Sequence, residues 1–130
     1  MNRDKKRILV IEDDAEMRSV LKDFLEEDGF SIEVADDGSE AFGKLAGKTF
    51  DLIISDIRMP GFSGLDILPG LKKIQPGISV VLITAFGSDE VRRRAPERGA
   101  DAYLEKPVHF GELGELIEKM LSSTFQGRSS

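Results

Sequence analysis

The sequence predicts a single α/β domain of the doubly wound type, a five-stranded parallel sheet with helices on both faces. Three observations support this fold class. Short apolar runs and helical patterns alternate five times along the chain. Several of the runs are rich in branched residues and almost continuously apolar, as expected for strands buried on both faces. The 130 residues are enough for one domain with a sizeable core.

The apolar runs predict five strands. They are residues 7–11 (RILVI), 31–35 (SIEVA), 51–55 (DLIIS), 78–83 (ISVVLI) and 101–104 (DAYL). The second run alternates, with Glu33 facing outward, and the fifth is short and half polar. Both are therefore expected at the edges of the sheet, and the more continuous first, third and fourth runs in its centre.

Helical patterns follow each predicted strand. The five are residues 15–28, 38–46, a third marked by Leu65, Leu68, Leu71 and Ile74, a fourth over roughly 88–98, and a fifth over 110–121. In the first, Met17, Val20, Leu21, Phe24 and Leu25 share one stripe. Pro69 and Pro96 fall inside the third and fourth patterns. Because an interior proline removes a helical hydrogen bond, these two helices are expected to be short, kinked or shifted.

Composition and charge exclude several classes of protein. The absence of cysteine excludes disulfides, thiolate metal sites and cysteine nucleophiles. A formal net charge of −6 argues against direct nucleic-acid binding by this segment. No apolar stretch approaches the roughly 20 residues of a membrane span, and the charged start MNRDKKR lacks the apolar core of a signal peptide. We expect a cytoplasmic protein without a membrane partner.

Residues that carry chemistry stand where predicted strands end. Glu12, Asp13 and Asp14 follow the first, Asp56 the third, Thr84 the fourth and Lys106 the fifth. Together they describe a site along one edge of the sheet. Two carboxylates about 4 Å apart repel by about 4 kcal/mol at an effective dielectric near 20, so either one takes a proton or a cation binds. Oxygen ligands without His or Cys favour Mg²⁺.

This constellation resembles the receiver domain of bacterial response regulators, over roughly residues 6–121. The resemblance rests on the acid pair at its offset from Met17-Arg18, on Asp56 before its Pro-Gly turn, and on the spacing from Thr84 to Lys106-Pro107. It implies a flavodoxin-like sheet in the order 2-1-3-4-5, in which residues 12–13 meet Asp56 at the switch point. Residues 1–121 are then the receiver domain, and residues 122–130 a polar tail or linker stub.

The resemblance implies a role for each acid. Asp56 is the phosphoacceptor, which attacks a phosphoryl group to form an acyl phosphate. Asp13 binds Mg²⁺ directly, Glu12 acts through water, and the backbone carbonyl of Arg58 is a further metal ligand; Mn²⁺ is expected to substitute. Asp14 is left as the N-cap of the first helix.

The remaining site residues also take their roles from the resemblance. Lys106 and Thr84 contact oxygens of the phosphoryl group and complete the catalytic set. The Lys106-Pro107 bond is expected to be cis, which aims the lysine inward. Thr84 and Tyr103 form a switch: Thr84 turns toward the phosphoryl group and the ring of Tyr103 moves into the space that opens.

The predicted function is that of a phosphoacceptor in a two-component or phosphorelay system. A histidine kinase or histidine phosphotransfer domain is the expected phosphoryl donor, docking on the first helix around Met17 and Leu21. Phosphorylation of Asp56 is expected to switch the surface presented to an unknown output domain or partner protein, with the chain a monomer or a phosphorylation-dependent dimer. Only self-phosphorylation and autodephosphorylation are expected as catalytic activities.

Three other functions fit parts of the pattern. A phosphatase of the haloacid-dehalogenase type also uses a strand-end Asp, but it needs a second Asp two residues later, where this chain has Arg58. A flavodoxin-like cofactor binder needs a polar phosphate loop after the first strand, where this chain has three acids. A degenerate receiver that acts only as an interaction module is disfavoured by the complete set of acids, Thr84 and Lys106.

Overall fold

The computed structural model describes residues 6–59, 62–84 and 100–129. Its strands are β1 (Arg7–Ile11), β2 (Ser31–Ala35), β3 (Leu52–Asp56), β4 (Arg58–Met59), β5 (Phe62–Ser63), β6 (Ser79–Thr84) and β7 (Ala102–Glu105). Its helices are α1 (Ala15–Glu27), α2 (Gly38–Gly47), α3 (Gly64–Ile74) and α4 (Phe110–Ser129). The helix predicted over 88–98, with Pro96, lies outside the described residues, so the helix counted fifth in the sequence is α4 here.

Five strands form one parallel sheet in the order β2-β1-β3-β6-β7. Counted within this sheet, the order is 2-1-3-4-5, which confirms the predicted fold class and places the second and fifth strands at the edges. The short strands β4 and β5 pair antiparallel in a separate ribbon just after β3, which the sequence did not predict.

Alternate residues of the central strands fill two separate cores, as a sheet covered on both faces requires. One core joins the sheet to α2 and α3 and includes Leu9, Ile11, Ile53, Val80, Leu82, Ala41, Leu45, Leu68 and Leu71. The other joins it to α1 and α4 and includes Ile8, Val10, Ile54, Val81, Ile83, Leu21, Leu25, Leu113 and Ile117. Both faces of the sheet are therefore packed against helices, and the sheet carries the site residues at its edge.

The last three strands of the sheet begin one residue later than predicted, and in two of them, β3 and β7, the residue left outside the strand is an aspartate. The Asp51 carboxylate accepts the N–H of Arg7 at 2.8 Å, and the Asp101 carboxylate accepts the N–H of Val80 at 2.8 Å. Lys72 donates to the same Asp101 oxygen at 2.9 Å. These carboxylates therefore bond to the strand next to their own at the amino edge of the sheet, instead of continuing the apolar run.

The third helix differs from the expectation set by its proline. α3 runs from Gly64 to Ile74 with Pro69 inside it, so the helix is neither cut short nor shifted there. Pro69 is exposed, while Leu68 and Leu71 on either side are fully buried and hold the helix against the sheet. The predicted stripe needs one correction, because Ile74 is 44% exposed and Ile67 is buried instead.

The last helix continues past the predicted end of the domain. α4 extends to Ser129, eight residues beyond position 121. The boundary between domain and tail at that position stays a prediction. None of the described helices combines the length and apolar character needed to cross a lipid bilayer.

Candidate functional site

The candidate site lies at the carboxyl edge of the sheet, where four neighbouring strands end. Glu12 follows β1, Asp56 ends β3, Thr84 ends β6 and Lys106 follows β7. Because these strands are parallel and adjacent in the order β1-β3-β6-β7, their last residues lie side by side. The fold therefore brings together groups that are separated by up to 94 positions along the chain (12 to 106).

Three carboxylates form a compact group at this edge. One oxygen each from Glu12, Asp13 and Asp56 can be chosen so that all three lie within 4.8 Å of one another. Glu12 and Asp56 are buried, with 1% and 6% of their surface exposed, whereas Asp13 is exposed. The site thus has a buried acidic floor and one solvent-facing ligand.

The turn between β1 and α1 sets the direction of the two acids at positions 12 and 13. Asp14 is the N-cap of α1, as predicted, and its side chain accepts the N–H groups of Glu16 and Met17 at 2.9 and 3.2 Å. The carboxylate of Glu12 turns back to accept the N–H of Asp14 at 3.1 Å. Asp14 is therefore committed to the helix, and Glu12 and Asp13 remain for the site.

Lys106 supplies the positive charge. Its Nζ lies 3.3 Å from Oδ2 of Asp56 and 3.7 Å from Oε1 of Glu12. Its backbone N–H donates to the carbonyl of Thr84 at 2.7 Å, and the Lys106-Pro107 bond is cis, as predicted. Burial lowers the pKa of the Lys106 ammonium, but the two carboxylates outweigh it and raise that pKa above its usual range.

Burial and the neighbouring charges shift the pKa of Glu12. Burial raises the pKa of the Glu12 carboxyl, the hydrogen bond from the N–H of Asp14 lowers it, and the negative charge of Asp56 raises it again. The net result is a rise of this pKa from 4.5 to about 7. Without a cation, the carboxyl therefore takes up a proton near neutral pH. A divalent ion that favours the charged form competes with this proton.

We predict that the metal-free protein loses stability as the pH rises from about 5 to about 8. A carboxyl with a folded-state pKa of about 7 and an ordinary value of 4.5 stabilises the fold fully below pH 4.5, and this contribution disappears as the pH passes 7. The loss is on the order of 3 kcal/mol. Thermal unfolding in EDTA across this range measures it. Glu12→Gln should flatten the profile; a profile equally steep in this variant contradicts the assignment to Glu12.

Thr84 and Tyr103 occupy places compatible with the predicted switch. Thr84 is 2% exposed at the end of β6, and Tyr103 lies half-buried on the neighbouring β7, packed against the core that includes α2 and α3. Tyr103 also lines a cavity of about 530 Å³ with Lys106 and His109. Arg58 lies in β4, two residues after Asp56. The roles of all three stay predictions.

The first helix presents a different surface from the one predicted for docking. Leu21 is 1% exposed and packs in the core, so it cannot contact a partner. Val20, 42% exposed, and the half-buried Met17 instead line an open groove of about 400 Å³ with Val108 and Phe110. Lys106 and Pro107 border the same groove, which therefore adjoins the acidic site.

The donor set suits a small, hard cation. All three candidate ligands offer carboxylate oxygen, which Mg²⁺ and Ca²⁺ prefer. Mg²⁺ holds its ligands at about 2.0–2.1 Å, so two ligands on opposite sides of the ion are about 4.2 Å apart. The 4.8 Å spread of the three carboxylate oxygens is close to this size.

Comparisons with known proteins agree with this geometry. A family model described as "Response regulator receiver domain" matches residues 8–118. The transcriptional regulatory protein ZraR of Salmonella typhimurium is 36% identical over 124 residues, which are 95% of this chain and 28% of that protein. The chain thus spans about a quarter of the length of this curated relative.

Two solved structures are similar along nearly the whole chain. A CheY-like response regulator receiver domain protein from Methanospirillum hungatei has a TM-score of 0.92 and 31% identity, over 95% of this chain and 99% of that one. A response regulator protein from Burkholderia pseudomallei, solved with a phosphorylated aspartic acid and a calcium ion, has a TM-score of 0.83 and 26% identity, over 97% and 74%.

Proposed function

The chain belongs to the response regulator receiver domain family, and we propose that Asp56 is its phosphoacceptor, phosphorylated by a histidine kinase or a histidine phosphotransfer domain. Receiver domains of this family act in two-component signal transduction. The observation that carries the assignment is the position of Asp56: buried at a strand end, within 4.8 Å of two other acids and 3.3 Å from a lysine. Asp13 is exposed, and Glu12 lies one residue past the end of β1, slightly farther from the same lysine at 3.7 Å.

In the proposed reaction, an oxygen of the Asp56 carboxylate forms a bond to the phosphorus. The bond from phosphorus to the donor's imidazole nitrogen breaks, and its electron pair stays with the imidazole. The Lys106 ammonium then pairs with a phosphoryl oxygen instead of the carboxylate, and the Thr84 hydroxyl donates a hydrogen bond to another phosphoryl oxygen. Such transfers depend mainly on positioning and on charge stabilisation, which these groups provide.

We propose that Asp13, Asp56 and the carbonyl of Arg58 hold Mg²⁺, with Glu12 acting through water. When bound, Mg²⁺ supplies positive charge against the phosphoryl oxygens and the crowded carboxylates. Mn²⁺ should substitute, since it also accepts oxygen ligands. The solved Burkholderia regulator with its calcium ion supports a divalent site in this family.

We predict that Asp13→Asn weakens Mg²⁺ binding by at least about 10-fold, since losing a ligand should cost no less than losing a residue that only supports a ligand. The variant loses a charged ligand that faces solvent, and nothing else in the described turn depends on that carboxylate. Asp14→Asn is the matched control: it removes the same charge one residue away, and Asn is an equally good N-cap. Calorimetric titration with Mg²⁺ measures both. Equal losses in the two variants would mean that net charge, not ligation by Asp13, governs affinity.

The switch and the docking surface follow from the same site. We propose that phosphorylation draws Thr84 toward the phosphoryl group and that Tyr103, on the adjacent strand, changes position with it. The apolar groove along Met17, Val20, Val108 and Phe110 is our candidate docking surface for the phosphoryl donor, because it is exposed and adjoins Lys106. We also propose that phosphorylation changes the surface presented to an output domain or partner protein. The protein is then cytoplasmic, and either a monomer or a phosphorylation-dependent dimer.

The proposed function is tested by incubation with acetyl phosphate, with and without Mg²⁺, followed by intact mass spectrometry. We expect one phosphoryl adduct that requires Mg²⁺. Because the chain is a domain of signalling proteins, we expect no sustained turnover of a phosphomonoester beyond its own phosphorylation and dephosphorylation. A folded protein that binds Mg²⁺ but never forms an adduct would instead be an interaction module that works without phosphorylation.

A further inference from the structure

Arg18 makes a contact with the acidic turn that its place in the sequence does not reveal. Its guanidinium Nη1 donates a hydrogen bond of 2.7 Å to the backbone carbonyl of Glu12. Its own N–H donates to the carbonyl of Asp14 at 2.9 Å and so belongs to the first turn of α1. The side chain thus reaches back from the helix and closes the turn that carries the acids.

We propose that Arg18 is a positioning residue for Glu12 and Asp13, the two acids of the turn that take part in the metal site. The carbonyl that it holds belongs to the peptide joining these two residues. A peptide is planar, so fixing its carbonyl also fixes the direction in which the chain enters Asp13. This inference rests on the proposed function, since it concerns the same metal site.

The other anchors of the turn act elsewhere on it. The N–H of Glu12 donates to the carbonyl of Ala35 at 3.0 Å, which continues the pairing of β1 with β2. The carboxylate of Glu12 is held by the N–H of Asp14 at 3.1 Å. Arg18 holds the peptide between Glu12 and Asp13, and we expect the exposed side chain of Asp13 to depend on it most.

An anchor of this kind is needed because the acids repel one another. One oxygen from each of the three carboxylates lies within 4.8 Å of the other two, and like charges at such distances repel. Rotation of the peptide between Glu12 and Asp13 would relieve the repulsion by moving Asp13 outward. A hydrogen bond from a charged donor is stronger than one between neutral groups, so the bond from Arg18 opposes this rotation.

The positive charge of Arg18 permits a decisive test. A residue that acted on the site only through its charge would repel Mg²⁺, so its removal would strengthen metal binding. A residue that positions the ligands has the opposite effect, because its removal lets the ligands spread. The two roles therefore predict changes of opposite sign in the same measurement.

The experiment compares wild type, Arg18→Ala and Lys22→Ala by calorimetric titration with Mg²⁺. Lys22→Ala is the matched control, since Lys22 lies one turn further along α1 and pairs with Glu26 away from the site. We expect about tenfold weaker binding in Arg18→Ala and about wild-type binding in Lys22→Ala. Should Arg18→Ala fail to fold, Arg18→Gln serves in its place, with thermal unfolding to verify the folded state.

A kinetic readout separates positioning from general damage. With acetyl phosphate, Arg18→Ala should need about tenfold more Mg²⁺ for its half-maximal rate and keep its maximal rate, matching the expected change in affinity. Unchanged or tighter Mg²⁺ binding, or a lower maximal rate with unchanged Mg²⁺ dependence, overturns the inference alone. Failure of the wild type itself to bind Mg²⁺ overturns the proposed metal site and this inference with it.

Discussion

Asp56→Asn is expected to abolish the Mg²⁺-dependent phosphoryl adduct while the fold is retained. An amide oxygen is a far weaker nucleophile than a carboxylate and cannot form the acyl phosphate. The substitution is nearly isosteric at a position that is 6% exposed, and it removes one of three crowded carboxylates. We therefore expect the metal-free variant to be at least as stable as wild type, as measured by thermal unfolding.

The control for this variant changes the aspartate that directly precedes the same strand. Asp51→Asn makes the same chemical change just before β3, at the opposite edge of the sheet, where the amide oxygen can still accept the N–H of Arg7. It should form the adduct like wild type. An adduct of equal yield in Asp56→Asn would place the phosphoryl group on another residue, and peptide mapping would then identify it.

Lys106→Ala is expected to slow phosphorylation from acetyl phosphate by about 10²–10³-fold at saturating Mg²⁺, the usual effect of removing one group that stabilises transition-state charge. The same change removes the cation that lies 3.3 Å from Asp56 and 3.7 Å from Glu12. Because this ammonium competes with a metal for the carboxylates, Mg²⁺ affinity should not fall, and we expect it to rise. Slower chemistry with undiminished metal binding is the signature of this residue.

Lys119→Ala provides the comparison, since Lys119 is exposed on α4. It removes the same charge and side chain from the surface, and we expect wild-type rates and Mg²⁺ affinity. If Lys106→Ala phosphorylates at the wild-type rate, then Lys106 only neutralises the resting carboxylates. If it loses Mg²⁺ affinity, Lys106 instead maintains the geometry of the metal site.

The elements of the fold followed from local patterns, but their fine placement did not. Branched apolar runs located all five strands of the main sheet, since strands buried on both faces are almost continuously apolar. The one-residue shift of β3 reflects Asp51, whose carboxylate binds a neighbouring strand, a contact between residues 44 positions apart. Likewise, only packing decides that Ile67 is buried and Ile74 is exposed at the end of α3.

The residues of the candidate site could be predicted from the sequence, but the contacts and surfaces around them could not. Strand ends identified Glu12, Asp13, Asp56, Thr84 and Lys106, and the resemblance to receivers supplied the strand order that brings them together. The sequence does not show which residue of α1 faces outward: it predicts docking around Leu21, which is buried, whereas Val20 is exposed. Nor could it show the side chain of Arg18 reaching the Glu12 carbonyl, which depends on the shape of the turn.

The aspartates at the amino edge of the sheet explain how the opposite edge can carry groups that repel. Asp51 and Asp101 each accept an N–H from the adjacent strand, so they help to fix the register of the paired strands. A slip of one residue would break these bonds and turn every core side chain to the wrong face. The unfavourable contacts between like charges therefore lie at the carboxyl edge, away from the hydrogen bonds that fix the register. A cation that binds there reduces the repulsion between the carboxylates and leaves the alignment of the strands intact.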